Sequence, residues 1–404
     1  MNFSTSSRAK KSQAALFAVL VAGSLLAATP VANAAAAVKI GSACSTADAI
    51  AEATNGKTVT CKNKKWTAYK TASIKFGATA SAFAPKEEFA VYAVPKKAGF
   101  FAAENLVVTA QTTPGSLGAA QLVSSGALDI AGADLGSAQK AIEAGGNIVI
   151  IGGMVVNWPW LISVKDGSPI KTPADLKGKT IGIVGFTSGS YPFMKAFLEA
   201  NNLKESDVKV VVVGGAAGPA NAQLQSGAVD ALSYYGSAYA DMEFAGTKLT
   251  YLKNPDYMKA VRSLSWVANA DKYAANPEIF ERFLRATFKG LMYSKTNISS
   301  ATKLGLAEFP QTLLGKTLAE RLPAATASLK AWVDSATPTT GTPATWKPLG
   351  SITKAEWVIN QDYAKKAGDK VSSVDFAEFL DTDVLARANT FDRAKVIAKA
   401  KAAK

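Results

Sequence analysis

Ser125-Gly126-Ala127-Leu128-Asp129 returns about one hundred residues later as Ser226-Gly227-Ala228-Val229-Asp230. Each copy leads through a short apolar run to Gly136-Ser137-Ala138 or Gly236-Ser237-Ala238, then to a helical stretch closing on Ala144-Gly145 or Ala245-Gly246. Upstream, Phe101-Ala102-Ala103-Glu104-Asn105-Leu106 has a looser counterpart in Phe197-Leu198-Glu199-Ala200-Asn201-Asn202-Leu203. A period this long is the size of a lobe, not of a solenoid repeat. Strand-like runs at 74–78, 106–110, 128–131, 148–151, 180–184, 208–213 and 231–233 alternate with helical periodicity. That alternation predicts right-handed βαβ units on mainly parallel sheets. The expected fold class is therefore α/β, with two similar lobes.

The chain continues past the second lobe with a strand candidate at 263–268 and an amphipathic helix over 277–293. The simplest packing sends it back to complete the first lobe, leaving crossing strands near 162–165 and 252–265 as a hinge. The expected divisions are a secretory signal over 1–34, a small two-cysteine module over 35–70, one lobe over 71–165 with 262–404, and the other over 166–261. Residues 338–348, rich in Thr, Pro and Gly, read as an exposed loop. Helices at 354–366 and 382–388 are expected to pad the surface of the first lobe.

Arg8, Lys10 and Lys11 precede an uncharged apolar run over 14–28, and Ala32-Asn33-Ala34 follows. This is the pattern of a secretory signal with a small-residue cleavage site. The run of about 15 residues falls short of the roughly 20 that cross a bilayer, so the mature chain is expected to be secreted and not membrane-spanning. The first cysteine, Cys44, lies too far on to serve as a lipid anchor. Removing the signal leaves about 370 residues, more than one hydrophobic core usually serves. The net charge of +14 drops to about +11 without the signal. Its lysines are dispersed except in the tail 395–404, which argues against a nucleic-acid surface. Cys44 and Cys61 in an exported chain read as one disulfide pinning a hairpin over 38–70. Histidine is absent, which removes Ser-His-Asp and Cys-His catalysis and every histidine metal site.

In parallel α/β sheets the strand C-termini and following helix N-termini open on one edge, where free N–H groups favour anions and polar oxygens. Gly185-Phe186-Thr187-Ser188-Gly189-Ser190-Tyr191 stands at such an edge, before a helix expected over 192–198. Thr187, Ser188, Ser190 and Tyr191 could hold a carboxylate, sulfonate or carbonyl, or simply cap the helix. Pro114-Gly115-Ser116 gives the matching donors on the first lobe, and Gly214-Gly215 on the second, with Ser116 and Gly215 as the contacts. Aromatic candidates are Phe83, Phe89, Trp158, Tyr234 and Tyr235, whose faces suit a ring or an amine, though for any single one core packing is the more ordinary role. Asp134, read as the acid of the first-lobe loops, either pairs with a ligand amine or caps the next helix. None of these loops is a phosphate or dinucleotide fingerprint.

Ile170-Lys171-Thr172-Pro173-Ala174-Asp175-Leu176-Lys177-Gly178-Lys179-Thr180-Ile181-Gly182, the run over 89–101 with Ala-Val-Tyr-Ala-Val-Pro-Lys-Lys-Ala-Gly inside it, and residues 125–131 together resemble the nitrate/sulfonate/taurine and thiamine-pyrimidine-precursor group of ABC-transporter solute-binding proteins. The resemblance covers roughly residues 73–388 and thins after 293. It implies a type II periplasmic-binding-protein-like fold, two-lobed and closing by a hinge, with ligand contacts from the loops just named. A fungal branch of that group makes the pyrimidine itself with a histidine and a cysteine-rich iron motif, and this chain has neither.

The leading expectation is an extracytoplasmic binding component of an ABC importer: a monomer that captures a small polar organic solute and passes it to a permease, without cofactor or metal. Aromatics outnumber charges in the loops, which favours a solute with a ring or amine over bare nitrate. Two other classes stay open: an enzyme on the same scaffold, and an envelope-binding protein acting through the N-terminal module and basic tail.

Overall fold

The computed structural model describes residues 36–369 and 380–404, and Ala35–Lys404 forms one compact unit. The signal read over 1–34 lies outside the described residues. The repeated pentapeptide explains how each lobe is laid out. Helix Ser116–Ser124 ends just before it and helix Ala217–Ser226 ends on its first residue, and Gly126 and Gly227 take the left-handed conformation (φ 76° and 78°) that a helix stop favours. Leu128 and Val229 then enter the core. Asp129 and Asp230 each close a reciprocal pair of bonds with the neighbouring parallel strand of their sheet. The Asp129 carboxylate accepts from Lys75 N (2.7 Å) and its N–H donates to Lys75 O, while Asp230 does the same with Thr180 N (2.8 Å) and Thr180 O.

Each lobe holds a five-stranded sheet. The first is built from β4 (Ala72–Ala78), β5 (Leu106–Thr112), β6 (Ile130–Asp134), β7 (Ile148–Gly153) and β13 (Leu264–Asn269), in the order β5-β4-β6-β13-β7. The second, from β8 (Trp160–Lys165), β9 (Thr180–Ile183), β10 (Lys209–Val212), β11 (Ala231–Tyr235) and β12 (Leu249–Tyr251), has the order β10-β9-β11-β8-β12. The two orders are the same pattern. Four strands of each sheet run one way, and one reversed strand, β13 or β8, lies between the third and fourth of them. The chain therefore does return to complete the first sheet. The strand at 160–165, placed with the first lobe by the sequence, instead pairs with β11 and β12, because its apolar residues Ile162 and Val164 complete the second core. The connections between sheets are residues 154–159 and 252–263.

Residues 36–70 form a three-stranded antiparallel sheet, β1 (Ile50–Glu52), β2 (Thr58–Lys62) and β3 (Lys65–Ala68), closed by a Cys44–Cys61 disulfide. It is docked on the first lobe by a buried ion cluster. Glu104 accepts from Thr58 Oγ1 (2.8 Å), Arg285 Nη1 (2.7 Å) and Lys289 Nζ (2.8 Å), while Arg282 donates to the Lys70 and Glu104 carbonyls and stacks on Tyr69.

The helix Lys354–Lys366 does more than pad one lobe. Trp357 packs in the first lobe's core, Tyr363 packs in the second lobe's core, and Glu356 pairs with Arg262 in a crossing segment. On another side, Leu318–Ala336 joins the first lobe's core yet bonds the helix Gly236–Phe244, through Arg321–Asp241 (2.7 Å) and Ser328 Oγ to Ser237 O (2.8 Å). Among the described residues no helix is long and apolar enough to cross a membrane.

Candidate functional site

The C-terminal ends of β4, β5, β6 and β7 share one edge, as do those of β9, β10, β11 and β12, and the two rims meet. Thr187 Oγ1 donates to Pro114 O (2.6 Å), and Leu117 N, at the start of helix Ser116–Ser124, donates to Thr187 O (3.3 Å). Gly115 is required at this contact: its φ is 118°, and a Cβ would stand 2.8 Å from Thr187 O. Near the crossing, Trp160 Nε1 donates to Ser263 Oγ (3.2 Å), and Gly189 lies so close to the indole that a Cβ would come within 2.9 Å of it.

Of the residues picked out in the sequence, Ser116, Thr187, Ser188 and Tyr235 stand where the rims face each other. Ser116 opens the first-lobe helix and is buried; Thr187 remains exposed. Ser188 Oγ accepts from Ser190 N (3.3 Å). Tyr235 meets Trp160 edge-on at 5.9 Å and donates to the Gly215 carbonyl (2.6 Å). Gly215 thus presents its carbonyl to a tyrosine of its own lobe.

The remaining candidates are engaged elsewhere. Phe89 has no exposed surface: it forms part of a π-helical turn, Phe89–Ala93, under Phe309 and against Gly305. Phe83 stacks on the same Phe309 at 4.2 Å. Tyr234 is fully buried and donates to Gly214 O (2.6 Å). Ser190, also buried, accepts from Val184 N inside its lobe. It starts its helix two residues earlier than expected, at Ser190–Ala200. Tyr191 turns to Glu205 (2.7 Å), with Lys195 over its ring. Trp158 wedges between Phe193 and Tyr363. Asp134 takes the capping role: its carboxylate accepts from Gly136 N and Ser137 N. Burial pushes its carboxyl up to about 7, against the pull of those two N–H groups.

A charged cluster that the sequence reading passes over lies at the first-lobe rim. Lys86 is buried between Glu88 (2.8 Å) and Glu87 (3.5 Å). Glu87 accepts from Thr79 N and Oγ1, and Glu88 from Ala84 N (2.5 Å). Burial pulls the Lys86 ammonium down, yet Glu87 and Glu88 outweigh it and hold it above its ordinary value, with Tyr235 of the opposite rim adding to the effect. Burial pushes the Tyr235 hydroxyl up to about 12, and Lys86 works against that shift. The available signal was Pro85-Lys86-Glu87-Glu88, three consecutive charges in the loop after the first strand. A cavity of about 260 Å³ lies beside the crossing segments, lined by Met154, Asn157, Arg262 and Phe288 among others. Its lining includes no residue of the second sheet's span, so it is separate from the meeting of the rims.

Comparison with known proteins agrees with this architecture. The riboflavin-binding protein RibY of Chloroflexus aurantiacus is 25% identical over 308 residues, spanning 73% of this chain and 82% of RibY. A solved Bordetella bronchiseptica RB50 protein superposes with a TM-score of 0.63 at 19% identity, over 79% of this chain and 97% of its own. The periplasmic aliphatic sulphonate binding protein SsuA of Escherichia coli gives 0.56 at 18%, over 72% and 85%. The fold is also that of the desulfurization enzyme DSZB, at 0.51 and 15%, over 78% and 98%. The fold is thus that of periplasmic binding proteins. The family model described as NMT1/THI5 like matches residues 86–298, and with more than half of its length inside that match, this chain belongs to the NMT1/THI5-like family.

Proposed function

We propose that the chain is the extracytoplasmic solute-binding component of an ABC-type importer, holding a small polar organic solute between its lobes and delivering it to a permease as a monomer. The observation that carries this reading is the bond from Leu117 N to Thr187 O across the rims. A helix start offers donors to an oxygen or anion, and here the opposing loop supplies that oxygen. A bound solute's carbonyl, carboxylate or sulphonate would take its place. Closure would then follow the difference in contact energy between the open and closed states. Trp160 and Tyr235 supply aromatic faces beside this point, and the Lys86 cluster supplies charge, which supports a solute with a ring or amine over bare nitrate. RibY, by its name a riboflavin binder, supports the ring; SsuA supports the sulphonate.

Calorimetry against riboflavin, alkanesulphonates, taurine, aminopyrimidines and nitrate should find one tight ligand. Gly115→Ala should weaken it by about tenfold or more, since the added Cβ collides with Thr187 O on closure. Turnover of one of these compounds without a tight complex would overturn the reading in favour of catalysis on this fold, as in DSZB.

A further inference from the structure

The chain's positive charge is unevenly placed. The span of the second sheet, residues 160–251, has eight lysines against eight acids. Residues 36–70 have six lysines and two acids, and residues 392–404 have five basic residues and one acid. These two segments, +4 each, hold more than half of the chain's +14. They stand at opposite ends of the described sequence, and the fold joins them. Lys395, in the helix Arg393–Ala402, pairs with Glu52 of β1 at 3.2 Å, so one of the module's two acids is neutralised by the tail. Arg387 donates to the Asp48 carbonyl beside it.

Lys39, Lys64 and Lys65 gather on the other edge of the module. Cys44 N donates to Lys64 O (3.0 Å) and Gly41 N to Trp66 O (2.8 Å). All three lysines are exposed, as are Lys401 and Lys404, and none of the five forms an ion pair among the described residues. This end lies away from the rims. The module is bonded to Glu104 and Ala102, just before β5, and Ala72 N, at the start of β4, bonds Asn105 O. Those are the N-terminal ends of strands whose C-terminal ends carry the solute-facing loops.

We infer that this basic end docks peripherally on an anionic phospholipid bilayer, leaving the cleft free. On the function proposed above the chain delivers its solute to a permease, so the bilayer that holds a permease is the fitting anionic partner in preference to a wall polymer. The helix Arg393–Ala402 keeps Val396 and Ala400 in the protein's own core, so the contact is electrostatic and inserts no apolar face. Each lysine near an anionic surface multiplies partition roughly fivefold. The attraction fades over a Debye length of about 10 Å at ordinary salt.

Co-sedimentation of the Ala35–Lys404 unit with vesicles tests this. Vesicles of phosphatidylcholine mixed with phosphatidylglycerol should bind it at low salt and release it as salt rises, and phosphatidylcholine alone should not bind it. Lys39→Glu with Lys64→Glu and Lys65→Glu, and separately Lys401→Glu with Lys404→Glu, should each lower partition by about tenfold or more, with thermal unfolding unchanged. Lys171→Glu with Lys248→Glu, a control on the second lobe, should change it by less than about twofold. The proposal falls if that control loses as much as the others or if phosphatidylglycerol makes no difference. It falls equally if soluble poly(glycerol phosphate) binds the protein while vesicles do not.

Discussion

Asp134 is held in a buried cap, and its proton is the measurable consequence. An unfolded aspartate titrates near 3.8, and the folded one near 7. Between those values the folded chain keeps a proton that the unfolded chain has lost. This group therefore costs stability as pH rises through that window. Asn caps a helix as well as Asp, so Asp134→Asn should gain stability over the parent progressively from acid to neutral pH. Calorimetric midpoints across the range will read this, and parallel curves would refute it. Glu104 has the opposite sign. Although burial favours its neutral form, Lys289 and Arg285 hold its carboxyl down at about 2. Its contribution is present at neutral pH and is lost only as pH falls toward that value. Glu104→Gln leaves the buried Arg285 with one carboxylate fewer and should cost about 3–5 kcal/mol in urea unfolding. Residue types alone left Asp134 between ligand contact and helix cap. The choice depends on which donors stand within reach, and Gly136 and Ser137 lie two and three positions along the same chain.

The repeated pentapeptide is an element-scale device: it stops a helix, turns the chain and ties the next strand to its neighbour, and it does so identically in both lobes. The duplication was legible in the sequence as a repeat, whereas the helix stop at its glycine and the tie made by its aspartate are seen only in the structure. The disulfide was legible as well, since the chain holds only two cysteines. It closes a loop with a separation of 17 residues, so replacing both cysteines by serine should cost roughly 3 kcal/mol. Hydrogen exchange should register the loss first in β1–β3. The helix Lys354–Lys366 was legible as a helix but not as a strap. Its apolar residues Trp357 and Tyr363 enter different cores, and periodicity does not reveal which core a residue enters. Tyr363→Ala should cost about 3–5 kcal/mol and loosen the second lobe against the helix, seen as faster exchange over Ser190–Ala200.

At the scale of the whole molecule, the rims are joined by Thr187 and Pro114 while two C-terminal helices clasp the lobes from other sides. Thr187→Ala removes a bond worth about 1 kcal/mol, and Arg321→Ala removes the tie to Asp241. The pair should enlarge the ligand-free radius of gyration in small-angle scattering, and a tight ligand should reverse the change. An unchanged radius would mean that the remaining strap alone fixes closure. The sequence by itself determined the duplication, the alternation of strand and helix, the disulfide and the loops at the strand ends, because each is written in periodicity, local bonding or composition. Only the tertiary structure decided that Phe89 and Tyr234 belong to cores, that Lys86 is buried between two glutamates across from Tyr235, and that a C-terminal helix spans both lobes. Those outcomes depend on which surfaces meet when elements far apart in the chain pack together, and that information is not local to any stretch of residues.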